Sequence, residues 1–178
     1  MSHPTPSADE IEELLLSCRY GDLEDVRAFV EKFGAAAAAE ARDDRGSNVL
    51  HMCAANGHED VLSYLLPLMP PSLLTTPNTS LSLPVHWAAL NRHLPILAIL
   101  VSDTRIDGAH LIALPNGSGK SSLTVAEEEG WDEGASWLAD KIELALAVGE
   151  GETAEGVEEE DVGEEPAEGE KMDVDVQK

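Results

Sequence analysis

A thirteen-residue pattern occurs twice in this chain, and that repetition limits the possible folds more than any other feature. Gly46-Ser47-Asn48-Val49-Leu50-His51-Met52-Cys53-Ala54-Ala55-Asn56-Gly57-His58 returns as Leu81-Ser82-Leu83-Pro84-Val85-His86-Trp87-Ala88-Ala89-Leu90-Asn91-Arg92-His93, which sets His51 and His86 35 residues apart. Each copy leads into aliphatic residues at helical spacing: Val61, Leu62, Leu65 and Leu66 after the first, Ile96, Leu97, Ile99 and Leu100 after the second. Small residues in the first helix of each copy permit close approach, and the second helix supplies the bulk. A helix pair of this kind cannot bury its apolar face alone. It must stack on copies of itself.

Two fainter copies share the frame. Ser17-Cys18-Arg19-Tyr20-Gly21-Asp22-Leu23-Glu24-Asp25-Val26 fits the end of a first helix and the start of a second. Gly119-Lys120-Ser121-Ser122-Leu123-Thr124-Val125-Ala126 fits the start of another pair, with Gly130 in its turn. The turn positions are therefore Gly21, Gly57, Arg92 and Gly130, separated by 36, 35 and 38 residues. The pattern resembles the ankyrin repeat: a Gly, Thr-Pro-Leu-His, a pair of small residues, Gly-His and a Val/Leu-rich helix. The resemblance covers residues 9–148 and implies an all-α ankyrin-repeat solenoid of about four repeats. Every junction exceeds the family period of about 33 residues. The insertions at 34–41, 67–77 and 107–115 are expected as loops on the back or between repeats, the alanine run adding helix. Arg92 stands where the family has Gly, Pro95 follows it, and Thr124 replaces the fourth His.

Terminal repeats of such a stack must turn a polar face to water, which fits the degenerate outer copies. Residues 1–8 are expected to be a flexible N-terminus, with Ser7-Ala8-Asp9-Glu10 as a capping box opening the first helix. From Trp131 to Val148 the spacing predicts a closing helix, with Trp137, Leu138, Ile142 and Leu146 on one stripe.

Charge adds a second constraint. The chain has 35 acids against 11 Lys and Arg, for a net charge of −24. Thirteen of those acids and two of the bases lie between Glu150 and Lys178, a stretch with no aromatic residue, Leu or Ile. It cannot bury enough apolar surface to offset the entropy of ordering, so 149–178 is expected to be a disordered acidic tail. A chain this acidic cannot coat a phosphate backbone, and anionic membranes repel it, so no direct nucleic acid and no membrane contact is expected. No apolar run approaches the ~20 residues of a membrane span, and Met1 to Pro6 lacks the basic and apolar regions of a secretory signal. Cys18 and Cys53 are too few for a disulfide framework and suit a reducing compartment, which makes the sequon Asn78-Thr79-Ser80 incidental. These observations describe a soluble intracellular protein with a positively charged partner.

Catalysis and cofactors find little support. In the ankyrin family the histidines matching His51 and His86 close hydrogen bonds within and between repeats, and the resemblance implies that role here. A catalytic role would need an oriented acid and a nucleophile, and none recurs. His51 and Cys53, two apart on a helix, point in different directions, and no further ligand stands at a structural zinc spacing. Gly117-Ser118-Gly119-Lys120-Ser121-Ser122 imitates a phosphate loop, but Leu114 occupies the position of the loop's first Gly. No catalytic residue, metal or cofactor is expected.

An ankyrin array binds through its hairpin tips and inner helices. In this frame the partner-binding concave face comprises Arg19 and Tyr20; Asp44, Arg45, Ser47, Met52, Ala55 and Asn56; Thr79, Ser80, Ser82, Trp87, Leu90 and Asn91; and Glu128 and Glu129. Tyr20, Trp87 and Leu90 are expected to form its apolar centre, with Asp44, Glu128 and Glu129 nearby, a surface suited to a segment carrying apolar residues and Lys or Arg.

The opening Ile11-Glu12-Glu13-Leu14-Leu15-Leu16, then Tyr20-Gly21-Asp22-Leu23, the two inner blocks and the acidic tail are together similar to the small fungal Yar-one family of ankyrin proteins. That family is a dedicated chaperone of small-subunit ribosomal protein S-three. The resemblance implies capture of a newly made, basic ribosomal protein as a 1:1 heterodimer of two monomers, and its escort between cytoplasm and nucleus for ribosome assembly. Two other classes stay open. A regulatory ankyrin inhibitor or adaptor of a kinase or transcription factor would need no tail, and a histone-type acidic chaperone would bind basic proteins without preference.

Overall fold

In the computed structural model, which describes residues 3–151, an inner and an outer row of helices run along the array. The inner row is α1 (Ala8–Tyr20), α4 (Val49–Asn56), α6 (Pro84–Leu90) and α9 (Ser122–Glu128). The outer row is α2 (Leu23–Phe33), α5 (Glu59–Leu65), α7 (Leu94–Val101) and α10 (Asp132–Gly151). Two short helices, α3 (Ala35–Glu40) and α8 (Gly108–Ala113), and two 3-10 turns, Leu66–Leu68 and Pro71–Thr75, fill the junctions. The stretch from 152 onwards, read from sequence as most of the acidic tail, lies outside the described residues.

Side-chain size sets the layering. Cys18, Cys53, Ala54, Ala88, Ala89 and Ala126 are fully buried, and their small volumes let α1, α4, α6 and α9 pack side by side. Leu62, Leu65, Ile96, Leu97, Leu100 and Leu138 fill the space between the rows. At about 25 cal/mol per Å² of apolar surface removed from water, such residues supply the main driving force. Cys18 and Cys53 meet across the α1–α4 contact, where the Cys18 thiol and burial push the Cys53 thiol well above its ordinary value. Both behave as small apolar fillers.

The helix ends follow the local signals. Ser7 accepts from the Glu10 N–H at 3.3 Å while its own N–H donates to Glu10 Oε2 at 2.8 Å, closing the expected capping box. Lys32 from α2 donates to the other oxygen of Glu10 at 2.9 Å. The Ser7 N–H, the Lys32 ammonium and the Ser7 hydroxyl together hold the Glu10 carboxyl down to about 2. Ahead of the cap, the His3 ring lies over Gly34, with Nδ1 3.3 Å from the Lys32 carbonyl.

The departures from the repeat pattern have local solutions. Arg92 takes the left-handed conformation of Gly21, Gly57 and Gly130, with φ +60°, and its guanidinium donates to the Glu129 carbonyl of the next turn. Pro95 sits in the first turn of α7, where its missing N–H has no helical partner to lose. The insertion at 107–115, expected as a loop, instead contains α8, which packs between α7 and α10 and widens the outer row. Asp107 caps it, accepting from the His110 N–H at 3.1 Å, so the correction was signalled by an Asp ahead of an apolar run. In α10, Leu138 is fully buried and Trp137 and Ile142 are partly covered, whereas Leu146 is 66% exposed and leaves the expected stripe.

Candidate partner-binding face

Three hairpin fingers project from the inner row, built on one device. Asp43 Oδ1 accepts from the N–H groups of Arg45 (2.9 Å) and Ser47 (2.6 Å). Asn78 Oδ1 accepts from Ser80 and Ser82, both at 3.0 Å, and Asn116 Oδ1 from Ser118 (2.9 Å) and Lys120 (3.1 Å). Single backbone bonds join the fingers: Thr79 N–H to the Arg45 carbonyl (2.8 Å) and Gly117 N–H to the Ser80 carbonyl (3.0 Å). The third finger is the stretch that imitates a phosphate loop. Its Ser118 and Lys120 amides are already spent on Asn116, and Lys120 is paired with Glu128.

Histidines lock these fingers to the helices. His51 Nδ1 accepts from the Asn48 N–H at 3.2 Å, which places the ring proton on Nε2, and Nε2–H donates to the Ser82 carbonyl of the next finger at 2.9 Å. His86 repeats the arrangement one repeat on, accepting from the Leu83 N–H (3.0 Å) and donating to the Leu114 and Lys120 carbonyls (3.0 and 3.1 Å). Burial pulls His51 from its ordinary 6.5 to about 4 and lowers His86 as well, so both are neutral at pH 7. Thr124, at the matching place in the last repeat, has no further described finger to reach; it pairs with the Ser121 hydroxyl at 3.1 Å.

Two clefts lie between the fingers and the inner helices. The first, of about 590 Å³, is bounded by Ile11, Glu12, Leu15, Leu16 and Arg19 of α1, by Arg42, Asp43 and Asp44, and by Met52 of α4. The second, of about 310 Å³, gathers Ser80 and Ser82, Trp87 and Leu90 of α6, Ser118 and Lys120, and Glu128 and Glu129 at the end of α9. Trp87 is half-buried, and its Nε1 is buried without a hydrogen-bond acceptor among the described residues.

The expected face is thereby sorted. Arg19, Asp44 and Met52 meet in the first cleft; Ser80, Ser82, Trp87, Leu90, Glu128 and Glu129 meet in the second. Ser47 is buried and spends its backbone on Asp43, and Ala55 is half-buried on α4. Asn56 and Asn91 fold back, donating to the Met52 (2.8 Å) and Trp87 (3.0 Å) carbonyls, while Arg45 and Thr79 join two fingers through their backbones. Tyr20, 73% exposed, lies with Phe29 and Phe33 in a groove between α1 and α2, apart from Trp87 and Leu90. Sequence reasoning missed Leu16 and Lys120. Lys120 was findable, because Asn116 to Lys120 aligns with Asn78 to Ser82 once the Asx turn is recognised.

Charge is zoned along the array. Residues 1–41 carry nine acids and three bases, and 116–149 carry seven and two. Between them, 42–76 carry four and two, and 77–115 are balanced at two each. Two acidic ends flank a near-neutral, apolar middle. Among the described residues no group of three or more His, Cys, Asp or Glu is placed to hold a metal ion, and no helix is long and apolar enough to cross a membrane.

Stacked helix pairs with projecting fingers form an ankyrin-repeat fold, and residues 45–68 match the ankyrin repeat model. The chain is similar to NF-kappa-B inhibitor cactus of Drosophila melanogaster, with 34% identity over 144 residues; the match takes in 79% of this chain but only 26% of the relative. Among solved structures it is similar to a chain in the crystal structure of the yeast ribosomal protein Rps3 in complex with its chaperone Yar1. The TM-score is 0.70 at 22% identity, over 76% of this chain and 95% of that one. At that identity the likeness establishes the fold.

Proposed function

We propose that this chain is an escort for a basic ribosomal protein of the small subunit, of the S3 family, binding it 1:1 across the concave face and accompanying it from cytoplasm to nucleus. The observation that carries the reading is the likeness to the chaperone complex, which runs over 95% of the neighbour's length. Cactus supports a second reading, inhibition of a transcription factor, but through a quarter of its own length. The site chemistry agrees with the first. Free ribosomal proteins are cationic and bind RNA without specificity, and two acidic zones around an apolar cleft both neutralise and cover such a ligand.

A pull-down from cell extract at about 0.15 M salt, where exposed charges are screened beyond ~8 Å, separates the readings. Stoichiometric retention of a small-subunit ribosomal protein is the expected result. Capture of a transcription factor, a kinase or a mixture of histones refutes it. Trp87→Ala should weaken the retained complex at least about tenfold, mainly through faster dissociation.

A further inference from the structure

The tip of the second finger breaks the rule its siblings obey. At the fourth residue of each Asx turn the backbone is left-handed: Gly46 has φ +71°, Gly119 has φ +74°, and between them stands Leu81 with φ +52°. Glycine takes that conformation freely, whereas a Cβ is crowded there. Leu81 gains no burial in return, since it is 57% exposed. A residue that strains the backbone and shows an apolar side chain to water lowers the stability of the free protein. Its neighbours Ser80 and Ser82 both line the second cleft, whose floor holds Leu90, itself 41% exposed, and Trp87 with its unpaired N–H.

We propose that Leu81 is a partner anchor: exposed on the finger tip between Ser80 and Ser82 at the rim of the second cleft, it holds an aliphatic or aromatic residue of the bound protein whose chain continues over Leu90 inside the cleft. Charge identifies the occupant. Glu127, Glu128 and Glu129 are exposed at the end of α9, and Asp132 and Glu133 follow at the start of α10, against two cations, Lys120, paired with Glu128, and Arg92, held on the Glu129 carbonyl. The bound segment is therefore an apolar stretch flanked by Lys or Arg on the α9 side, from the basic partner of the preceding section, on whose identity this inference rests.

The test sets stability against binding. Leu81→Gly removes the strain and the anchor together; Leu81→Asn keeps a side chain that tolerates the left-handed region but is polar. Purified small-subunit ribosomal protein S3 is titrated against wild type and both variants, and thermal midpoints are recorded. Expected are midpoints equal to or above wild type, with affinity at least about tenfold weaker through faster dissociation. Affinity within twofold of wild type overturns the inference alone, as does a fall in both midpoints, which would make Leu81 a structural residue. Absence of binding by wild type overturns the escort reading and this inference with it.

Discussion

Lowering the pH from 7.5 to 5 should loosen the array through His51. In the folded chain its Nδ1 faces the Asn48 N–H at 3.2 Å, so a second ring proton would set donor against donor in a site where the side chain is buried. The imidazole titrates near 6.5 when unfolded and near 4 when folded. Above pH 6.5 neither state is protonated and the group is neutral to stability. As pH falls below 6.5 the unfolded chain takes up a proton that the folded chain refuses, and the loss grows until the folded pKa is passed. At pH 5 this amounts to about 2 kcal/mol, rising to about 3 kcal/mol by pH 4, at 1.36 kcal/mol per pH unit. Against a total stability of roughly 5–15 kcal/mol, that is readily measured. Urea denaturation followed by circular dichroism at pH 7.5 and 5, at fixed ionic strength, compares wild type with His51→Gln. The Gln amide can accept from Asn48 and donate to the Ser82 carbonyl but does not titrate. Wild type should lose about 2 kcal/mol more than the variant between the two pH values. Other titrating groups are common to both chains and cancel. Equal losses would show that His51 is protonated in the folded state and that the assigned bonding is wrong.

Other perturbations follow from the same contacts. Gly117→Ala would place a Cβ 2.6 Å from the Ser80 carbonyl, which is backbone and cannot give way, so the finger-to-finger bond should break at a cost of about 1–3 kcal/mol in thermal denaturation. Leu138→Ala, in the fully buried part of α10, should lower stability by about 2–5 kcal/mol and show whether the closing helix belongs to the cooperative unit. Deleting 152–178 removes twelve acids and two bases; stopped-flow mixing with a basic partner should show slower association and a shallower salt dependence, with an unchanged denaturation midpoint.

The repeat frame was readable because ankyrin packing writes itself into residue size. Small residues at 53–54 and 88–89 and aliphatic runs at 61–66 and 96–100 place two layers without any knowledge of the fingers. The end of α1 was readable from Gly21, and its start from the Ser7–Glu10 box. What escaped is where local and tertiary effects part. The 107–115 stretch looks like a loop by the family period, yet Leu111 and Ile112 are buried between α7 and α10, and that burial makes a helix of it. The face was harder, since counting residues gives the finger but not which way its groups turn. Asn56 and Asn91 sit at contact positions yet spend their side chains on their own helix ends. Leu81 passed unnoticed because an exposed leucine is ordinary; only its φ sets it apart.

The distribution of charge gives the face an order of events. At physiological salt the acidic ends act over about 8 Å, far enough to draw in and orient a cationic segment but too short a reach to hold it in place. The middle repeats, with no net charge over 77–115, contribute little to that attraction and must decide what stays. There the fingers are fixed by Asx turns, by backbone bonds from one finger to the next and by neutral histidines, so a ligand need not order them again. In the proposed complex, steering and retention therefore fall to different residues. Salt should slow capture while leaving dissociation nearly unchanged, and substitutions at Trp87, Leu90 or Leu81 should do the reverse. A partner that was merely basic would be caught by the ends and released. One that also carries an apolar residue at the right spacing between its basic groups would be kept, and selectivity among cationic proteins arises in that second step.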